Sequence, residues 1–114
     1  MLQILRKYSR IILSYKIIKF EQFGKLLRLR VEVNLIDGSK LYSRETVIEA
    51  KRKYAYHWQS KDDKLIIRWD NAPDWEVETF PHHKHFGDER GIGPSYERTL
   101  EQVLDFISQQ LMNR

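Results

Sequence analysis

The chain has 114 residues, no cysteine, twenty Lys and Arg against sixteen Asp and Glu, and a formal net charge of +4. That length suits one compact domain spanning residues 1–114, and the lack of cysteine excludes disulfides, thiolate metal sites and thiol nucleophiles. The basic balance favours RNA or an acidic protein as partner over a neutral metabolite, although many small domains are mildly basic for solubility alone.

The first fifteen residues, MLQILRKYSRIILSY, are interrupted by Arg6, Lys7 and Arg10. They offer neither a signal-peptide core nor a membrane span, so the expectation is a soluble cytoplasmic protein. A short helix is expected over residues 2–9, followed by a strand over 11–20, where β-branched and aromatic residues concentrate. Residues 25–36 give the clearest pattern: Leu27, Leu29, Val31, Val33 and Leu35 alternate with Arg28, Arg30, Glu32 and Asn34. Period-two alternation is the mark of a half-buried strand. Asp37-Gly38 then predicts a type I′ hairpin with residues 39–49 as the returning strand.

A second hairpin is predicted from Lys53 to Gln59 and Lys64 to Asp70. A two-residue turn at Lys61-Asp62 sets Tyr56 opposite Ile67. Tyr54, Tyr56, Trp58, Leu65, Ile67 and Trp69 then share an apolar face, and Lys53, His57, Arg68 and Asp70 share the other. Residues 71–98 carry all three prolines and three of the five glycines and read as loop, with at most a short strand near 77–85. Thr99 and Gln102 form a capping box before an apolar stripe of Leu100, Val103, Leu104, Ile107 and Leu111. The expected fold is α+β: an antiparallel meander of about five strands, a short N-terminal helix, and a C-terminal helix packed on one face.

Chemistry concentrates in two places. Imidazole, guanidinium and carboxylate meet on the polar face of the second hairpin, as His57, Arg68 and Asp70. That set has the parts for acid–base work on a phosphodiester; a solvated Arg68–Asp70 pair is the plainer alternative. The other is TFPHHKH (79–85), which holds three of the four histidines. If extended, it turns His83 and His85 one way and His82 the other. Phosphate or proton chemistry, a metal held by His83, His85 and Asp70, and a locally packed surface loop all remain open. Lys84 and Arg68 add positive charge that disfavours a cation, and no cofactor is expected. Gly91-Ile92-Gly93 is no dinucleotide loop, no serine lies in a nucleophile elbow, and the last helix has no basic recognition face.

Taken together, Tyr56-His57-Trp58-Gln59, Arg68-Trp69-Asp70-Asn71-Ala72-Pro73 and Thr79 to His85 resemble the TumE-like family of small prokaryotic toxins of toxin–antitoxin modules. Pro94-Ser95 and Thr99-Leu100-Glu101 extend the match. The resemblance covers the C-terminal half to two-thirds. Family members commonly continue Asn-Ala-Pro with two histidines, where this chain has Asp74-Trp75. The resemblance implies a cognate antitoxin partner and, by analogy with other small basic toxins, action on RNA.

The resulting expectation is a metal-independent endoribonuclease toxin that associates with no membrane. Arg68, Lys84 and Lys53 would hold phosphate, His83 or His85 would deprotonate the ribose 2′-hydroxyl, and His57 would protonate the leaving oxygen, or the reverse. Asp70 completes the candidate catalytic set, and Trp75 is a candidate base-stacking residue. The rival expectation is a non-catalytic protein-binding module in which the histidine-rich loop is structural. A homodimer is compatible with either.

Overall fold

The structure, a computed structural model, describes residues 1–72, 79–87 and 91–113. Among these, seven antiparallel strands form one sheet in sequence order: β1 (Ile12–Phe23), β2 (Leu26–Leu35), β3 (Lys40–Ile48), β4 (Lys51–Gln59), β5 (Leu65–Asp70), β6 (His83–Phe86) and β7 (Gly91–Pro94). Helices α1 (Leu2–Lys7) and α2 (Leu100–Met112) stand at the two ends of the chain. The α+β class and both helices agree with the sequence reading, but the sheet has seven strands rather than five.

The two strands beyond five are the last two, and β6 overlaps the short strand expected near 77–85. At four residues each, β6 and β7 are too short for alternation to emerge, and β7 is Gly-Ile-Gly-Pro. They exist by pairing, with His83 opposite Asp70 and Pro94, and His85 opposite Arg68 and Ile92. A Cβ on Gly91 would collide with the carbonyl oxygen of Phe86, so the residue that weakens the strand signal is the one that lets β7 close on β6.

The hairpins form where expected, but their turns differ. In the first, Leu35 N donates to Ser39 O and Gly38 N to Leu35 O, leaving a three-residue loop with Gly38 at φ +87°. That is a type I turn followed by a left-handed residue rather than type I′. In the second, Ser60 N donates to Lys64 O around Lys61-Asp62-Asp63, with Asp63 at φ +61°. The extra loop residue and a bulge between Trp58 and Gln59 together move the register by two. Tyr56 therefore faces Trp69, Trp58 faces Ile67, and His57 faces Arg68. An even shift keeps every side chain from Ile67 to Asp70 on its predicted face.

One face of the sheet packs against both helices. Leu29, Val31, Val33, Leu35, Leu41, Tyr54, Tyr56, Trp58 and Trp69 meet Leu5, Leu100, Val103, Leu104 and Ile107. Each fully buried aliphatic here contributes roughly 1.5–3 kcal/mol relative to exposure. Phe106 sets its ring edge-on to Trp58 and Trp69, at 6.3 and 5.6 Å between centroids. Within this layer Trp58 Nε1 donates to Ser39 Oγ, which itself donates to Asp37. Arg52 donates to Tyr56 Oη (2.7 Å) and to the carbonyl of Arg98 (2.6 Å), tying the start of α2 to the sheet. Thr99 and Gln102 close the capping box through both reciprocal hydrogen bonds. No described helix is long and apolar enough to cross a membrane.

Candidate functional site on the uncovered face of the sheet

Among the described residues no helix covers the second face of the sheet. Alternation brings to this face the residues opposite to the core set: Lys16, Lys19, Arg28, Arg30, Arg44, Lys53 and Arg68, with Glu21 and Glu32 among them. Glu21 is occupied by Lys19 (3.0 Å) and Arg28 (3.7 Å). Arg30 and Arg44 are direct cross-strand partners. Like charges placed so cost stability, and both arginines line the same shallow depression as Ala55, His57 and Arg68. Lys53, Asn71 and Ala72 continue that surface toward the end of β5.

At this end the strands align the polar side chains in two rows. His57, Arg68 and His85 are successive partners across β4, β5 and β6; Ala55, Asp70 and His83 form the next row. With strands about 4.8 Å apart, His57 and His85 flank Arg68 at about 10 Å from each other. Burial and the Arg68 charge lower the pKa of His57, partly countered by its hydrogen bond to Gln59. A neutral His57 is therefore the form present near pH 7.

Asp70, His83 and His85 form a close group. Asp70 Oδ1 lies 2.8 Å from His83 Nε2, and Asp70 Oδ2 lies 3.6 Å from His85 Nε2. The His83 and His85 rings stand nearly perpendicular, 4.9 Å apart. The carboxylate is held in place by Ala72 N on Oδ1 (3.0 Å) and Arg68 Nε on Oδ2 (3.2 Å). Asp70 is 5% and His83 1% exposed, so His83 cannot touch a ribose directly as the sequence reading supposed. His85 is less enclosed, and Arg68 reaches solvent.

The loop that delivers these histidines is fixed from several sides. The Phe80–Pro81 peptide is cis. Thr79 Oγ1 donates to His82 O and accepts from Ser95 N, tying the loop to the segment after β7. His83 Nδ1 pairs with Pro81 O at 2.9 Å, and His82 Nδ1 with Tyr54 Oη at 2.9 Å on the other face. Asn71 prolongs the β4 ladder past the end of β5, accepting from Tyr54 N and donating to Arg52 O.

A family model described as Toxin TumE matches residues 1–111. The chain belongs to the TumE toxin family. No curated protein and no solved structure shows significant similarity to it.

In this TumE-family chain the residues singled out from sequence separate into two sets. His57, Arg68, Asp70, His83 and His85 are brought together, and Lys53 lies on the same surface. Lys84 pairs with Trp69 and so lies on the opposite face of β6, away from Arg68. Trp75 lies outside the described residues. Arg30 and Arg44 were not singled out, although their place on the polar side of two strands was readable; only the register of β2 against β3 sets them side by side.

Proposed function

We propose that the chain is a toxin that cleaves RNA, with the uncovered face of the sheet as its phosphate-binding surface. The carrying observation is the Arg30–Arg44 pair, two like charges held opposite each other and leading to Arg68. Such a pair destabilises the free sheet and gains its compensation from an anion. Arg68 would grip the scissile phosphate between His57 and the Asp70–His83–His85 group. Neutral His57 would take the proton of the ribose 2′-hydroxyl. On the far side of Arg68, His85, beside Asp70, would give its proton to the departing oxygen.

The test is incubation of purified protein with single-stranded RNA. Wild type is expected to cut it, while Arg68→Ala and His57→Gln lower the rate by about 100-fold, the scale of a lost charge-stabilising or acid–base group. Intact RNA after prolonged incubation with folded wild type would overturn the reading and favour the non-catalytic binding module.

The same proposal gives the toxin an antitoxin partner seated on β1. This edge strand exposes Leu13, Tyr15, Ile17, Ile18, Phe20 and Phe23, with Phe23 84% exposed. Tyr15, Ile17 and Phe20 lie on the helix side of this strand and Ile18 on the basic side, and an open strand edge with exposed apolar side chains is a ready protein contact. Co-purification of the antitoxin should be lost with Phe20→Asp and kept with Lys53→Asp.

A further inference from the structure

We propose that Asp70, His83 and His85 bind one divalent first-row transition ion, zinc being the best fit. The inference stands on donor geometry and is independent of the RNA reading, except for the catalytic role given to the ion at the end.

His83 supplies the first argument. Among the described residues the acceptor at its Nδ1 is the carbonyl of Pro81, 2.9 Å away, so Nδ1 carries a proton and Nε2 is the ring atom left to face Asp70. That Nε2 is buried and lies 2.8 Å from Asp70 Oδ1. The approach nevertheless misses hydrogen-bond alignment, and among the described residues Nε2 has no hydrogen-bond partner. An imidazole nitrogen and a carboxylate oxygen at this distance need a proton or a metal ion between or beside them, and the missed alignment disfavours the proton. A cation placed off the line joining them satisfies both.

The second argument is the spacing. Ligand atoms from Asp70, His83 and His85 all lie within 4.8 Å of one another. Donors sharing one tetrahedral zinc ion at ordinary bond lengths sit about 3.3 Å apart. Asp70 Oδ1 lies 2.8 Å from one imidazole nitrogen and Oδ2 3.6 Å from the other, both near that value. Asp70 turns one oxygen toward each imidazole, as a carboxylate does when it straddles an ion.

The third is the support behind the donors. A metal-bound histidine characteristically gives its other ring N–H to a carbonyl, and a metal-bound carboxylate is itself hydrogen-bonded. His83 with Pro81 O, and Asp70 with Ala72 N and Arg68 Nε, meet both conditions. Two imidazoles and one carboxylate suit zinc, iron or cobalt over magnesium or calcium, which demand oxygen. Three protein ligands also leave a position open, the arrangement of catalytic rather than structural sites. Arg68 opposes a second cation nearby, but it and a bound ion would share one anion between them. On the RNA reading that anion is the phosphate, and the ion would act on it as a Lewis acid in place of a proton from His85.

Tag-free purified protein titrated with Zn²⁺, and separately with Co²⁺ as a spectroscopic probe, tests the inference without any RNA. Binding that saturates at one equivalent is expected for wild type and for His57→Gln and His82→Gln. His85→Ala and Asp70→Asn should weaken it by more than the roughly 10–100-fold typical of losing an outer-shell partner. Zn²⁺ should raise the Tm of wild type and leave that of His85→Ala unmoved. Should a ligand variant fail to fold, the wild-type cobalt spectrum decides: bands of a tightly ligated ion support the site, and the weak spectrum of hydrated cobalt overturns it. Folded wild type that binds no zinc stoichiometrically, or binding equal in both ligand variants, also overturns it. Metal binding without RNA cleavage would sink the ribonuclease reading alone, and chelator-resistant cleavage by metal-free protein would sink the ion's catalytic role alone.

Discussion

Arg30 and Arg44 put function and stability in opposition at single residues. Replacing Arg44 with Thr removes the like-charge contact and supplies a β-branched side chain, so the fold should gain about 0.2–1 kcal/mol while RNA affinity falls. A chemical-denaturation curve beside an RNA-binding curve would check both signs. His57 makes a pH prediction. Burial and Arg68 depress its pKa in the folded state, so below the ordinary histidine value near 6.5 the unfolded chain binds the proton more readily. Its contribution therefore lowers stability as pH falls from about 6.5 toward the depressed folded value, and has no effect above that window. Tm measured against pH should show a shallower acid-side decline in His57→Gln. A partial upward shift of the His57 titration in Arg68→Ala, followed by NMR, would separate the guanidinium's share from the larger share of burial.

At the level of elements, the turns carry most of what sequence concealed. Glu49 and Ala50 join β3 to β4 with φ of 48° and 68°, the conformation of a type I′ turn built from residues that disfavour it. No glycine or asparagine signals this turn, which is why the chain offers no cue to it beyond the flanking patterns. Ala50→Gly should stabilise the protein by about 1 kcal/mol, since an L-residue in the left-handed region costs on the order of 1–2 kcal/mol. Thr99→Ala should cost about 1 kcal/mol by removing the cap of α2; thermal unfolding measures both. The alternation of Leu29 to Leu35 and the capping box were legible because local chemistry alone determines them. The strand β6 was legible only as a short strand near 77–85 and β7 not at all, because pairing makes them strands, β6 to β5 and β7 to β6.

For the whole molecule, the meander explains why the site was half visible. Parity along β4 and β5 was enough to group His57, Arg68 and Asp70, and it survived a register error because the error was even. The approach of His83 and His85 to Asp70 depends on a crossing between residues distant in sequence, and the burial of His83 follows from that crossing. No local pattern in TFPHHKH announces that one histidine is sealed and another is not. Likewise Lys84, which sequence groups with Arg68 by charge, is separated from it by the plane of the sheet. The resulting molecule has an apolar layer under two helices on one side and a basic surface on the other. Its binding to single-stranded RNA should weaken as salt rises, with a log–log slope reduced by about 0.7 for each phosphate-contacting cation removed.

The most direct test of that basic surface as a working site is total-RNA integrity after inducing the chain in a bacterial host, beside an Arg68→Ala, His85→Ala double variant at equal soluble expression. Fragmented RNA and arrested growth with wild type alone is the predicted result. Arrested growth with intact RNA, or fragmentation unchanged in the double variant, would contradict it.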